Sequence, residues 1–209
     1  MKSLLLREPG RAEVVEGDAP EPGPGEVVVR NEYVGICRTD RKCFGQGQRD
    51  LRTPRVLGHE MAGVVHAVGP WPARGAPPPA LGTRVVVHPG LSCGTCPACR
   101  AGNDQVCPEM RIMGFHVDGG FSDFTRIPAD GVARGVLMPV PDGLAAHRAA
   151  LTEPLACAVN LEERLRFGAS DSVLLIGAGV LGMLFAALAR RAGVRRLVLV
   201  DLDPAKVEQ

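Results

Sequence analysis

The feature that most constrains this chain is a group of four cysteines within fifteen residues. The spacing is C-x2-C-x2-C-x7-C, and the members are Cys93, Cys96, Cys99 and Cys107. Thiolates at such short intervals can converge tetrahedrally on one soft divalent ion, which is the geometry of a structural zinc site. A C-x-x-C redox pair would leave two of the four without a role. The spacing therefore predicts structural zinc.

Composition and charge place the chain among globular proteins. Its 209 residues are 45% hydrophobic and carry a formal net charge of +1. The sequence contains no basic block or aromatic-interleaved Lys/Arg stripe, which argues against nucleic-acid binding. The opening MKSLLLREPG has too short an apolar run for a secretory leader or a membrane span. We therefore expect a cytoplasmic protein whose seven cysteines are metal ligands or free thiols.

The character of the chain changes near residue 150. Before that point, β-branched runs alternate with Gly and Pro clusters, a pattern typical of an all-β region. We predict strands there at 26–34, 61–68 and 84–88, and a surface loop at 71–79. The remainder predicts the opening of a βαβ unit, with helices at 155–167 and 180–192 and strands at 172–176 and 196–200.

A glycine-rich turn follows the predicted strand at 172–176. Gly177, Gly179 and Gly182 match G-x-G-x-x-G, and an apolar helix comes next. Asp201 ends the following strand, nineteen residues after Gly182, close to where a ribose-binding acid is expected. Such a turn lets the backbone and a helix N-terminus approach a pyrophosphate. The pattern predicts a dinucleotide site, and Asp201 favours NAD because a carboxylate repels the 2′-phosphate of NADP.

A second group of metal-binding residue types lies upstream of the cysteines. Cys37, His59 and Glu60 supply a thiolate, an imidazole and a carboxylate at predicted loop or strand ends, and Glu153 adds another carboxylate. A catalytic zinc needs three protein ligands and one open position. Singly, Cys37 and His59 are as well explained as ordinary core or surface residues. Together they indicate a catalytic metal site.

These motifs resemble those of a zinc-dependent medium-chain alcohol dehydrogenase. They span nearly the whole chain in the family order: GICRTD, GHEMAGVVHAVG, the cysteine group, TEPLACAVN and VLLIGAGVLG. The resemblance implies an α/β fold with a β-rich part: a GroES-like catalytic domain at 1–152, carrying both zincs, and an incomplete Rossmann (doubly wound) domain at 153–209. The active site would lie in the cleft between them. The glutamate–proline pair at 153–154 resembles the polyol, butanediol and threonine dehydrogenase branch.

The resemblance also implies residue roles. Cys37 and His59 would bind the catalytic zinc, with either Glu60 or Glu153 as the third ligand. The reaction would be NAD-linked hydride transfer from a secondary alcohol or polyol, the small-molecule partner. Zinc would make the substrate hydroxyl more acidic.

Residues within and just after GICRTD have further implied roles. Thr39 would relay the proton of the substrate hydroxyl, and Asp40 would orient His59 from behind the metal. Arg38 would reach the cofactor pyrophosphate. Lys42 stands where many relatives carry a histidine, so either Lys42 ends the proton relay or the proton leaves through water.

The chain stops soon after its second Rossmann strand, whereas the family has roughly three to four more. Since so few strands leave apolar surface uncovered, we expect a fragment. A second polypeptide would supply the remaining strands if the gene is split, and we expect the completed protein to be a homo-oligomer. The alternative function is a non-catalytic zinc-binding remnant or assembly subunit without a competent nicotinamide pocket.

Overall fold

A computed structural model describes residues 1–72 and 76–208. The chain divides into two compact units, Met1–Ala150 and Leu151–Gln209. The first is rich in short antiparallel strands, and the second contains parallel strands with helices, an α/β arrangement. The domain boundary predicted after residue 152 stays a prediction.

The secondary structure elements are numbered in chain order. The strands are β1 Lys2–Glu8, β2 Arg11–Glu16, β3 Val27–Gly35, β4 Arg55–Val56, β5 Glu60–Val68, β6 Arg84–Val87, β7 Gly90–Leu91, β8 Arg111–Ile112, β9 Phe124–Ile127, β10 Leu137–Pro139, β11 Ser172–Ile176 and β12 Arg196–Val200. The helices are α1 Arg38–Gln46, α2 Pro97–Arg100, α3 Ala129–Ala133, α4 Ala146–Ala149, α5 Thr152–Leu165, α6 Val180–Arg191 and α7 Pro204–Val207.

A five-stranded sheet forms the centre of the first unit. Its order is β10-β6-β5-β3-β9, and all neighbours are antiparallel. Because side chains alternate along a strand, one face collects a buried apolar core: Val27, Val29, Met61, Val65, Val85, Val87 and Ile127. The other face packs on Ala149 and Ala150 at the end of α4. Full burial of each large side chain contributes about 1.5–3 kcal/mol.

The register of this sheet brings distant sequence segments together. β3 and β5 pair so that Gly35 lies opposite Glu60. The chain passes from Gly35 into Cys37, and it reaches Glu60 directly from His59. The residues of the second predicted metal group therefore converge at one end of the β3–β5 pair.

A small hairpin carries the cysteine group. In the β7–β8 pair, Leu91 lies opposite Arg111, so the two ends of the intervening loop are held side by side. A separate three-stranded antiparallel sheet has the order β2-β1-β4.

The second unit contains the predicted βαβ opening. β11 and β12 have the predicted bounds and pair in parallel, with Ser172 opposite Arg196. α6 connects them and ends one residue before its predicted end. Residues that alternate along β11 stay exposed, including Leu174 at 61% and Ile176 at 84%.

The structure corrects two local expectations. α5 begins at Thr152 rather than at residue 155, because a proline in a first helical turn lacks only an N–H that has no intrahelical partner there. The first unit is also not purely β, since the helix α1 begins three residues after β3 ends. Of the predicted loop at 71–79, residues 73–75 lie outside the described residues, and the rest has no regular secondary structure. No helix in the described ranges is long and apolar enough to span a membrane.

Candidate metal centres and nucleotide turn

The four cysteine sulfurs converge at the tip of the β7–β8 hairpin. All four lie within 4.8 Å of one another. The Sγ atom of Cys99 is 3.4 Å from that of Cys96 and 4.0 Å from that of Cys93. Zinc with four sulfur ligands at about 2.3 Å would place those sulfurs about 3.8 Å apart. The donor set and its spacing thus fit a tetrahedral zinc.

Backbone N–H groups surround these sulfurs. The N–H of Cys93 donates to Cys107 Sγ at 3.4 Å, and the N–H of Cys96 donates to Cys93 Sγ at 3.4 Å. Hydrogen bonds from the backbone N–H groups of Thr95 and Cys96 lower the pKa of Cys93 to about 6. The loop therefore favours a thiolate at Cys93, which is the form that binds metal.

A second cluster joins Cys37, His59 and Glu60, whose ligand atoms also lie within 4.8 Å of one another. Cys37 is the N-cap of α1, and its Sγ accepts a hydrogen bond from the N–H of Thr39 at 3.5 Å. His59 and Glu60 are buried. A thiolate, an imidazole and a carboxylate match a zinc site with three protein ligands, so the donor types fit the metal.

Asp40 lies behind this second cluster and contacts both the segment of Cys37 and the segment of His59. Its Oδ2 accepts from the Cys37 N–H at 2.9 Å, and its Oδ1 accepts from the Gly58 N–H at 3.3 Å. The same Oδ1 is 3.4 Å from Nδ1 of His59, and that buried nitrogen has no well-aligned hydrogen-bond partner. The contact is therefore chiefly electrostatic, and it orients the ring.

Burial and charge act in opposite directions on the buried acid and base. Burial lowers the pKa of His59, but the contact and negative charge of Asp40, followed by those of Cys37, raise it to about 9. Burial raises the pKa of Glu60, which the nearby His59 opposes. Since metal ligands must be deprotonated, binding here would release the imidazole proton.

The remaining predicted residues lie around this cluster or in the other unit. Thr39 is partly exposed in the first turn of α1, and Arg38 and Lys42 are exposed on the same helix. Glu153 is in the first turn of α5 in the second unit, where its Oε1 is 4.0 Å from the Cys157 Sγ. The choice of Glu60 or Glu153 as third ligand stays a prediction.

Sequence reasoning missed two residues that contact these sites from outside. The Phe115 ring packs on the His59 ring, with centroids 5.6 Å apart. Arg134 contacts the cysteine loop through Ser92. Each is distant in sequence from the residue that it contacts, and no local pattern marks either of them.

The glycine turn of the second unit has the predicted geometry. Gly177 adopts a φ of +109°, and a Cβ on Gly182 would lie only 1.9 Å from the Gly177 carbonyl oxygen. Asp201 Oδ2 accepts from the Ala178 N–H at 2.7 Å, and its Oδ1 accepts from the Asp203 N–H at 2.9 Å. These donors, Asp203 first, lower the pKa of Asp201. An ionised carboxylate is thus held against the turn.

Comparison with known proteins agrees with this arrangement. Residues 23–142 match the family described as the alcohol dehydrogenase GroES-like domain. The chain belongs to the zinc-dependent medium-chain alcohol dehydrogenase family. Its fold is accordingly a GroES-like domain followed by an incomplete Rossmann portion.

Among its relatives, L-galactonate-5-dehydrogenase of Escherichia coli K12 is 33% identical, and the match covers 100% of this chain and 58% of that protein. The crystal structure of rspB from E. coli CFT073, complexed with NADH, is 32% identical with a TM-score of 0.87, covering 100% of this chain and 58% of that one. A proposed zinc-binding dehydrogenase from Sinorhizobium meliloti 1021, bound to NADP, is 34% identical with a TM-score of 0.88, covering 98% and 57%. The chain therefore spans less than two thirds of the length of these relatives.

Proposed function

We propose that this protein is a zinc-dependent, NAD-linked oxidoreductase that oxidises a secondary alcohol or polyol by hydride transfer. One zinc would be held by the four cysteines, and a second by Cys37, His59 and a carboxylate. The observation that carries the proposal is the convergence of Cys37, His59 and Glu60 in a chain that also has a dinucleotide turn. An isolated four-cysteine site would support only a structural role.

The residues of the second cluster have distinct tasks in this proposal. When bound there, zinc supplies Lewis acidity that lowers the pKa of a substrate hydroxyl. Asp40 holds the ring of His59 and the backbone of Cys37 in place. The hydroxyl of Thr39, two residues after Cys37 in the first turn of α1, relays the released proton. The proton then passes to Lys42 or to solvent, because Lys42 is exposed on α1.

The nucleotide turn provides the second half of the chemistry. The N–H groups at the start of α6 bind the pyrophosphate. Asp201 accepts from the ribose hydroxyls and disfavours a 2′-phosphate. Known structures of relatives contain NADH in one case and NADP in another, so the preference rests on Asp201 itself.

Nucleotide choice is tested by comparing NADH and NADPH binding to the wild type and to Asp201→Ala. We expect the wild type to prefer NADH by about tenfold or more, because the Asp201 carboxylate repels the 2′-phosphate of NADPH. Asp203→Ala, two residues further along, is the matched control. Tighter binding of NADPH by the wild type would contradict the assignment.

The substrate class is tested by following NADH formation with a panel of secondary alcohols, sugar alcohols and sugar acids. The sugar acids are included because a relative is named for L-galactonate. Turnover by the 209-residue chain that disappears in Cys37→Ser supports the proposal. Turnover that survives this change would exclude Cys37 from the reaction.

A second candidate is a zinc-binding protein without catalysis. The described part of the second unit has two parallel strands, whereas a dinucleotide-binding sheet has about six. Hydride transfer needs near-attack geometry, and about 1 Å of misplacement can cost a hundredfold. Full zinc content with no turnover favours this candidate. If a polypeptide that supplies further Rossmann strands then restores activity, the chain is the zinc-binding part of a dehydrogenase.

A further inference from the structure

The loop of the four cysteines is supported by a short helix that follows it in sequence. The helix α3 contacts both strands of the hairpin that carries the loop. On the β7 side, a Cβ on Gly131 would lie 2.6 Å from Leu91 Cδ2, so the helix backbone packs directly on that leucine. On the β8 side, Asp130 forms an ion pair with Arg111. The end of α3 is thereby held at a fixed position beside the loop.

Arg134, at the C-terminal cap of α3, extends from this position into the loop. Its Nε donates to Ser92 Oγ at 3.0 Å. Its Nη2 lies 3.9 Å from Asp104 Oδ2, and the Ser92 hydroxyl donates to that same Oδ2 at 3.2 Å. The Ser92 hydroxyl group belongs to a residue that is only 4% exposed, whereas the side chains of Arg134 and Asp104 are 31% and 47% exposed, so a surface ion pair is anchored on a buried serine. One guanidinium thus links two separate parts of the loop.

The Nη1 end of the same guanidinium lies close to the Cα of Gly94. That glycine has a φ of +75°, and a Cβ there would be 1.8 Å from Arg134 Nη1. The close approach is available only to glycine. It places Arg134 against the peptide that directly follows Cys93, while its bond to Ser92 secures the residue before Cys93.

The second part of the loop held by Arg134 leads to the last cysteine. Asp104 opens the 3-10 turn Asp104–Val106, and Cys107 follows at once. The Cys93 N–H also donates to Cys107 Sγ at 3.4 Å. The network therefore joins the residue before the first cysteine to the turn that leads into the last, the two cysteines that are most separated along the chain.

Charge gives Arg134 a second reason to be there. Four thiolates around one divalent ion leave a net charge of −2, and Asp104 adds to it. A planar guanidinium offers several fixed donors and stays ionised, so it can bridge a hydroxyl and a carboxylate while compensating this charge. A lysine would supply charge without the fixed geometry.

We propose that Arg134 is a positioning residue for the four-cysteine zinc site. It holds Cys93 and Cys107 at the separation that zinc requires, without touching the metal. The inference rests on the proposed structural zinc. Groups that orient metal ligands from outside change metal affinity by about 10–100-fold when removed. Loss of the Arg134 side chain is expected to loosen the site to that extent while the rest of the first unit stays folded.

The test measures zinc release to a colorimetric chelator from the 209-residue chain carrying Cys37→Ser, so that the metal comes from the four cysteines alone. In that background we compare Arg134→Gln, Arg134→Lys and Arg100→Gln. Arg100 is the matched control, because it is an exposed arginine of the same loop and the described residues include no ion pair to it. Circular dichroism of each variant checks the fold, and absorption of the cobalt-substituted protein reports the ligand geometry.

We expect Arg134→Gln to release zinc about 10–100-fold faster and to alter the cobalt spectrum, with an unchanged circular dichroism spectrum. The rate of zinc release from Arg134→Lys should lie between those of the parent and Arg134→Gln, and the rate from Arg100→Gln should equal that of the parent. Equal release from parent and Arg134→Gln would overturn the inference while leaving the zinc site intact. If Arg100→Gln accelerates zinc release equally, the effect comes from loss of any positive charge near the loop, and the inference is also overturned. A parent that holds no zinc would refute the structural zinc itself.

Discussion

The two candidate metal centres of the first unit are built in opposite ways. The four cysteines lie within fifteen residues on a hairpin loop, and three of them are partly exposed. The second centre joins Cys37 to His59 and Glu60, which are buried and more than twenty residues away. A loop closes the first site, whereas the pairing of β3 with β5 assembles the second.

This difference indicates what each site depends on. The cysteine loop has little apolar burial of its own, so its order should depend on the metal and on the contacts of Arg134. The second cluster is fixed by a sheet with a large apolar core, so its geometry should exist before metal binds. The first site would stabilise the fold through its metal, and the second would use the fold to hold a metal.

The largest expected effect comes from Cys93→Ser. Because metal binding and loop folding are coupled, loss of this ligand should remove about one zinc per chain and lower the unfolding temperature by several degrees. Metal analysis and thermal unfolding measure both. Cys157→Ser, an exposed cysteine outside both clusters, is the control. If Cys93→Ser keeps its full zinc content, the four cysteines are not a metal site and the contrast between the two centres is wrong.

Cys37→Ser should also remove about one zinc, but with little change in thermal unfolding. The sheet that positions this site is packed without the metal, so the fold does not depend on it. The double variant with Cys93→Ser should contain no bound zinc. If both single variants lose the same ion, the chain has one metal site rather than two.

Asp40→Asn should weaken metal binding at the second site by about 10–100-fold and leave the cysteine site unchanged. The neutral amide loses the electrostatic contact with Nδ1 of His59 and one acceptor for the backbone N–H groups of Cys37 and Gly58. Asp142→Asn, an exposed carboxylate elsewhere in the unit, is the control. Competition with a chelator of known zinc affinity measures the change. An equal loss at the cysteine site would show that the two sites are not independent.

The smallest effect distinguishes the two candidate carboxylate ligands. Since Glu60 lies with Cys37 and His59, Glu60→Gln should weaken second-site zinc by about tenfold, and Glu153→Gln should change it less. The same chelator competition applies to both variants. A larger effect of Glu153→Gln would assign the third ligand to the second unit.

The sequence alone was sufficient wherever the decisive residues are close neighbours. The cysteine spacing led to the observed cluster, and the glycine turn with its flanking strands has the expected backbone form. The family assignment drawn from these motifs was confirmed. Short-range patterns suffice in these regions because ligand spacing, turn chemistry and strand periodicity are set within a few residues.

Tertiary structure alone decided the contacts between distant segments. It placed Glu60 beside Cys37, buried Asp40 against His59, and brought Arg134 to Ser92, 42 residues earlier in the chain. None of these contacts has a local signature, because each depends on strand register or on how a helix packs on a hairpin. The residue types that bind metal are therefore visible in the sequence, and the family resemblance already implied that Asp40 orients His59. Arg134 becomes visible only in the tertiary structure, because its contact depends on how α3 packs on the hairpin.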